Sequence, residues 1–179
     1  MREEELPYLL VLKKLPHIGD IRARELLMKY GSAKEVYNAL MDNSLNILSA
    51  TKNRFPTTAL QTWLDEAYLE IENMHKLDIK YVHIGEAAYP TRLKHCIDAP
   101  IVLFYKGTFS WNAPRSISIV GTRSATPYGL GFCRELISDL QVLDVQIVSG
   151  LAFGIDIQAH LAAIDYGMET VACLANGLH

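Results

Sequence analysis

Two loops of small and polar residues, each following a short apolar run, are the part of this sequence best suited to bind an anion. The first loop reads GTRS over residues 121–124, and the second reads SGLAFG over residues 149–154. Each loop precedes a helical pattern, and loops that follow neighbouring parallel strands meet at one edge of a sheet. Backbone N–H groups and helix dipoles favour an anion there. We therefore expect a phosphate-binding site.

Arg123 is the residue of the first loop best suited to a phosphate. Its guanidinium can form two parallel hydrogen bonds with one phosphate, while Thr122 and Ser124 add hydroxyl groups. The alternative is structural, with the arginine paired to a nearby carboxylate in a turn rich in hydroxyl residues. The loop lacks the G-x-G-x-x-G pattern of dinucleotide-binding folds. We expect a phosphate contact and no cofactor.

Asp156 and His160 are four residues apart, so on a helix they share a face and could hydrogen-bond. An Asp–His pair can act as a general base. However, no serine or cysteine nucleophile stands at a supporting spacing, and no metal-binding spacing such as H-E-x-x-H occurs. We expect a structural pair that fixes the second loop, no catalytic residue and no metal site.

The pattern of residues 116–174 alternates between extended and helical. The order strand, helix, strand, helix, strand predicts a right-handed parallel sheet of Rossmann type, the first strand being buried. The expected strands are residues 117–120, 145–148 and 170–174. The apolar stripe of the first helix is Phe132, Leu136, Leu140 and Leu143, with Cys133 and Ile137 beside it. We expect the thiols of Cys133 and Cys173 to be buried, and the second helix to direct Ile157, Leu161 and Ile164 inward.

Residues 1–78 predict a small all-α domain, and we place the domain boundary near residues 76–80. The expected helices include one with a capping box at Ser32 and Glu35, a short one over residues 45–50, and a long amphipathic one that begins after Pro56. From residue 79 the pattern becomes extended. The fold class is thus α/β, with a helical domain before the Rossmann-like domain, residues 79–179.

The segment LPHIG at residues 15–19, followed by a helix, resembles a helix-hairpin-helix module. In such modules, backbone N–H groups of the hairpin touch DNA phosphates without reading sequence. The other interpretation is a helical bundle in which Gly19 only permits the turn. The residues that could form a second DNA contact are Lys14, His17, Gly19 and Arg22.

Composition and charge limit the functions that these motifs can indicate. The chain has 179 residues, half of them hydrophobic, and a formal net charge of −3, so any nucleic-acid site must be a local patch. Its three cysteines are scattered, which suits a reducing compartment. The acidic start MREEELPYLL is unlike a signal peptide, and no apolar run reaches membrane-spanning length. We expect a cytoplasmic protein.

The motifs together resemble the DNA-processing protein A (DprA/Smf) family. The matching segments are GTR at residues 121–123, PYG at 127–129, SGLAxGIDxxAH at 149–160, and upstream YPxxL at 89–93, DxP at 98–100, LF at 103–104 and KG at 106–107. With the helix-hairpin-helix (SAM-like) module, the resemblance covers nearly the whole chain. The joint occurrence of the two loop motifs is highly specific, whereas the hairpin alone would be weak.

The resemblance implies a non-enzymatic protein that binds single-stranded DNA, helps load a RecA-type recombinase in natural transformation, and forms a homodimer. Carried over by position, the DNA-facing residues would be Gly121, Thr122, Arg123, Ser124, Tyr128, Gly129, Ser149, Gly150, Leu151, Ala152, Phe153 and Gly154. Many relatives place Arg where this chain has Phe153, whose ring could stack on a base or pack against the next strand. Compared with the family, the chain stops roughly midway through the Rossmann-like domain, so we expect a truncated domain.

Two other functions remain open from the residues. One is a Rossmann-like phosphoribohydrolase, with Asp156 and His160 as the acid–base pair, although the P-G-G-x-G-T loop of those enzymes is not in this sequence. The other is an adaptor that binds a partner protein but no nucleic acid.

Overall fold

The computed structural model describes residues 4–42, 44 and 55–178. The chain divides into two compact units, a helical unit (Met1–Lys106) and a parallel-sheet unit (Gly107–His179). The expected boundary near residues 76–80 is therefore corrected, because the first two strands belong with the helices. The expected helix over residues 45–50 lies outside the described residues.

The helical unit is built on four helices whose apolar faces form one core. Ser32 Oγ accepts a hydrogen bond from Glu35 N at 3.1 Å, so the predicted N-cap of the third helix is present. The long fourth helix has Pro56 at its N-cap. The four helices are α1 (Leu6–Lys14), α2 (Asp20–Tyr30), α3 (Ala33–Met41) and α4 (Thr57–Lys76).

Two short strands complete the helical unit. β1 (Lys80–His83) and β2 (Val102–Tyr105) pair antiparallel, with the short helix α5 (Thr91–Lys94) between them. Ile101 and Val102 are buried in the same hydrophobic cluster as the side chains of α1, α3 and α4. This shared core explains why the strand pair belongs to the helical unit.

The parallel-sheet unit confirms the predicted strand–helix alternation. Its sheet has the order β3-β4-β5, and both neighbouring pairs are parallel. α6 and α7 share one hydrophobic cluster with β4 and therefore pack on the same face of the sheet. The elements are β3 (Ser116–Ser118), α6 (Pro127–Leu140), a 3-10 turn (Gln141–Leu143), β4 (Gln146–Ser149), α7 (Ile155–Asp165) and β5 (Thr170–Ala172).

The predicted inward face of α7 is wrong, and in α6 the buried residues are those beside the predicted stripe, including Cys133, whose burial is confirmed. Cys173, also expected to be buried, is exposed. The side chains buried between the helices and the sheet are mostly small, whereas the large apolar residues of the predicted stripes are exposed or only partly buried. β3 is also exposed rather than buried. Small side chains allow two helices and a sheet to approach closely. The buried residues of α6 and α7 are Cys133, Ile137, Asp156, Ala159, His160, Ala162 and Ala163.

None of the helices in the described part of the chain is both long enough and apolar enough to cross a membrane.

Candidate functional site

The first loop (residues 121–124) and the second loop (residues 149–154) meet in direct contact. Ile155 N donates to Thr122 O at 3.2 Å. Gly154 has a φ of +86°, and a Cβ at that position would lie 2.1 Å from Thr122 O and 2.7 Å from Arg123 O. Only glycine fits such a close approach of two backbones. The parallel strands thus bring the two loops to one edge of the sheet, as the sequence predicts.

The Asp156 side chain connects the two loops through hydrogen bonds. Its side chain is 6% exposed, and its Oδ1 accepts a hydrogen bond from Gly121 N while its Oδ2 accepts one from Gly150 N, both at 3.2 Å. The carboxylate therefore satisfies one backbone donor in each loop. Because Gly121 and Gly150 donate to Asp156, their N–H groups do not point to an outside ligand.

Other backbone donors remain at the beginning of α7. Within the described chain, the N–H groups of residues 151–154 donate to no acceptor. They precede an eleven-residue helix, whose N-terminal end carries partial positive charge. Leu151 adopts a left-handed conformation with a φ of +56°, which is rare for a residue with a branched side chain. The second loop thus presents a row of N–H groups suited to an anion.

A shallow cavity of about 230 Å³ lies between the two loops. It is lined by Arg123 of the first loop, by Leu151, Ala152 and Phe153 of the second loop, and by Ile157 of α7. The Arg123 side chain is exposed and has no carboxylate partner among the described residues. Phe153 is 83% exposed, so it does not pack against the next strand. The Arg123 guanidinium, the second loop with its free N–H groups and the exposed Phe153 ring therefore lie around one cavity.

The hydroxyl groups of Thr122 and Ser149 form hydrogen bonds within the protein. Thr122 Oγ1 accepts a hydrogen bond from Ser124 N at 3.2 Å, which closes the first loop. Ser149 is buried, and its Oγ donates to Ile119 O at 2.6 Å. Ser149 therefore holds β4 to the end of β3 and does not face the cavity.

Comparison with known proteins decides the family. The model of the family "DNA recombination-mediator protein A" matches residues 80–179, more than half of the chain. The chain belongs to the DNA recombination-mediator protein A family. The match includes both loops, Arg123 and Asp156, whereas most of the helical unit lies outside it.

Relatives of this family member include proteins from several bacteria. The DNA processing protein DprA of Bacillus subtilis is 30% identical over 170 residues, which are 89% of this chain and 54% of that protein. DprA of Streptococcus pneumoniae is 36% identical over 117 residues, 63% of this chain and 41% of that protein. The chain thus spans about half the length of these relatives.

A solved structure extends the likeness beyond the region of the family match. The X-ray structure of DNA processing protein A from Streptococcus pneumoniae aligns with 96% of this chain and 58% of that chain, at a TM-score of 0.65 and 29% identity. The mixed α/β fold of this recombination-mediator chain is therefore that of a solved family member.

His160 of this family member does not pair with Asp156. Its Nδ1 lies 2.7 Å from Thr170 Oγ1, and the Thr170 hydroxyl donates to Ile147 O at 3.1 Å. Burial lowers the pKa of His160, and its Nε2 has no hydrogen-bond partner in the described chain. His160 holds α7 to the sheet and is not placed to act with Asp156 as a general base.

Two of the basic side chains around the hairpin are engaged within the helical unit. Lys14 Nζ forms an ion pair with Glu66 at 2.8 Å, and Arg22 Nη1 donates to His17 O at 2.9 Å. Lys13 is exposed and has no ion-pair partner among the described residues.

A cavity of about 440 Å³ brings three of the predicted hairpin residues together. It is lined by His17, Gly19 and Arg22, and also by Asp20 and Asp98. Two aspartates therefore accompany the single arginine at this cavity, so its lining is not a positive surface.

The beginning of α6 carries a feature that the sequence interpretation missed. Thr126 Oγ1 accepts a hydrogen bond from Gly129 N at 3.2 Å and caps the helix, and Tyr128 is exposed beside Phe132. The sequence pattern places Phe132 in the apolar stripe of the helix, although its spacing of four residues from Tyr128 also indicates an aromatic pair.

Among the described residues, no cluster of His, Cys, Asp and Glu is placed to hold a metal.

Proposed function

We propose that this chain binds single-stranded DNA through its phosphates at the two loops, as the DNA-contacting part of a recombination mediator. The observation that carries the proposal is Arg123, an exposed cation beside a row of free N–H groups. Family membership supports the choice of DNA, since the matched family is described as a recombination mediator.

In this proposal a phosphate lies in the cavity lined by Arg123 and residues 151–153 and accepts hydrogen bonds from the free amides of the second loop. The guanidinium supplies charge-assisted hydrogen bonds, and the N-terminal end of α7 adds its dipole. Thr122, Ser124, Gly129 and Ser149 act indirectly, since they shape or cap the loops. The exposed ring of Phe153 stacks on a base next to the bound phosphate.

We propose no covalent chemistry at this site. The alternative, a phosphoribohydrolase, would need Asp156 and His160 as an acid–base pair. Asp156 is occupied by two backbone donors, and His160 is directed to Thr170 on β5. Both residues therefore serve the architecture of the loops in our account.

The first experiment is the variant Arg123→Ala, assayed for binding to a short, unstructured oligothymidylate at low and moderate salt. Losing one charge-assisted contact should weaken binding roughly tenfold at low salt. The slope of log affinity against log salt should fall by about 0.7, the value for one phosphate of a single strand. Unchanged affinity together with an unchanged slope would remove Arg123 from the site.

The matched control is Arg134→Ala, which removes the same charge from the same unit. The Arg134 guanidinium is paired with Asp165 at 2.6 Å, so it is already engaged. We expect this variant to bind the oligonucleotide like the unaltered chain. A loss equal to that of Arg123→Ala would show that overall charge, not the first loop, governs binding.

At the level of the whole protein, we propose that the family member acts as a homodimer and delivers the bound strand to a RecA-type recombinase in natural transformation. A strand-loading assay tests this with the full-length protein, a RecA-type recombinase and DNA covered by a single-strand-binding protein. The proposal expects faster recombinase loading, and the same rate with and without the protein would contradict it.

A further inference from the structure

An exposed pair of aromatic rings lies at the beginning of α6, a few residues after the first loop. Tyr128 is 82% exposed and Phe132 is 55% exposed. Their ring centroids are 6.4 Å apart and their planes differ by 23°, so the rings are nearly parallel. A spacing of four residues places both on one face of the helix. The pair therefore presents aromatic surface to solvent.

The helix surface next to Tyr128 is open. Gly131 is three residues from Tyr128, which makes it a neighbour on the helix, and a Cβ there would meet nothing within 4 Å. Gly129, three residues before Phe132, instead faces α7, since a Cβ there would lie 3.7 Å from Ile155 Cδ1. Both rings are themselves more than half exposed, so a flat ligand can approach them from the side of Gly131.

The charge of the segment that joins the first loop to the rings favours a polyanion. Arg123 is the only charged residue between residues 121 and 132, and the first carboxylate of α6 is that of Glu135, after both rings. A strand of phosphates that reaches Arg123 thus meets no carboxylate of residues 121–132. Tyr128 follows Arg123 by five residues, so the ring pair begins close to the cation in the chain.

We propose that Tyr128 and Phe132 form a stacking platform for the bases of the strand whose phosphates bind at Arg123. The inference rests on the proposed function and adds a base-binding surface to it. Aromatic side chains stack on any base and need no particular sequence. A duplex buries its base faces, so the platform also favours single strands over duplex.

The experiment uses two variants, Tyr128→Leu and Phe132→Leu, in the full chain. Leucine keeps an apolar side chain but removes the aromatic face. Binding is measured for an oligothymidylate and for an abasic oligonucleotide with the same number of phosphates. Each variant should bind the oligothymidylate about tenfold more weakly, in line with the loss of one stacked base. Binding of the abasic strand and the salt slope should not change, because no cation is lost.

Val142→Ala is the matched control. Val142 is an exposed apolar residue of the same unit that follows α6. This variant should bind both oligonucleotides like the unaltered chain.

The outcomes separate the platform from the phosphate site. If Arg123→Ala weakens binding but both leucine variants bind like the unaltered chain, the platform is refuted and the phosphate site stands. If the variants lose affinity equally for the abasic strand, the rings do not contact bases and the platform is refuted. A change in self-association by sedimentation, without a change in oligonucleotide affinity, would assign the rings to a protein contact instead. If the unaltered chain binds neither strand, the proposed function itself fails.

Discussion

The hairpin of the helical unit and the two loops of the parallel-sheet unit differ in where their basic side chains are directed. Around the hairpin, Lys14, Arg22 and Arg24 donate to a carboxylate or to backbone carbonyls of the same unit, and of the basic residues there only Lys13 is exposed without a partner in the described chain. In the first loop, Arg123 has no carboxylate partner among the described residues. The number of basic residues in a sequence therefore does not measure the charge that a ligand can reach.

The backbones of the two regions differ in the same way. The hairpin is open, since a Cβ at Gly19 would meet nothing within 4 Å, and the N-terminal end of α2 lies beside two carboxylates. The two loops are tightly joined at Gly154 and are held by Asp156, while the amides of residues 151–154 remain available. Rigid loops with free donors are preorganised for an anion, and this is why we assign DNA binding to them.

The largest difference should appear in a glycine-to-alanine pair. Gly154→Ala places a Cβ 2.1 Å from Thr122 O at a φ of +86°, so we expect a loss of roughly 3–5 kcal/mol in the free energy of unfolding. Gly19→Ala meets no atom within 4 Å and should cost about 1 kcal/mol or less as a poorer N-cap. Urea unfolding of both variants measures the contrast, and equal losses would contradict the close contact of the loops.

A pair of aspartate-to-asparagine variants should give the next largest effect. Asp156→Asn keeps one oxygen but directs an NH₂ group at the second backbone donor, which should cost about 2–3 kcal/mol of unfolding free energy. Asp20 accepts one hydrogen bond, from Ile101 N, and an asparagine oxygen can still accept it. Asp20→Asn should therefore cost about 1 kcal/mol or less. Similar denaturation midpoints for the two variants would argue against the double role of Asp156.

The two regions also differ in how far their structure could be predicted from sequence. The Ser32–Glu35 cap and the order of strands and helices follow from local patterns, and both were predicted correctly. The buried faces of α6 and α7 are only partly predictable. The burial of Cys133 is predicted and confirmed, whereas periodicity also selects large apolar residues such as Phe132 and Leu161, and close packing buries Ala159 instead. Which side of a helix faces the sheet is a tertiary property that no local pattern contains.

The candidate phosphate site is also only partly predictable from the sequence. The loop motifs and Arg123 could be recognised in the sequence, because spacing and residue type carry them. The hydrogen bonds from Gly121 N and Gly150 N to Asp156 could not be recognised in the sequence, because they form only when two loops from different strands meet in the fold. The domain boundary was placed too early because the β1–β2 pair is extended in sequence pattern but shares its core with the helices.

The smallest effect concerns pH and the buried histidine. Burial lowers the pKa of His160 below its ordinary value of 6.5, so the unfolded chain binds a proton more readily than the folded one. The free energy of unfolding should therefore be highest above about pH 6.5 and should fall as the pH decreases from there toward the lowered pKa.

The variant His160→Gln should have a flatter dependence of the unfolding free energy on pH between about pH 7.5 and about pH 5.5. His75→Gln, at an exposed position of α4 in the helical unit, is the control and should keep the original dependence. Urea unfolding at several pH values measures both. An unaltered pH dependence in His160→Gln would show that another group is responsible.

The most direct test of the contrast between the two regions is amide hydrogen exchange of the full chain with and without a saturating oligothymidylate. We expect slower exchange at residues 151–154, where free N–H groups would meet phosphates, and at residues 122–123 around the Arg123 contact, with unchanged exchange at residues 15–24. Slower exchange confined to residues 15–24, with the two loops unchanged, would contradict it and would place the DNA on the hairpin.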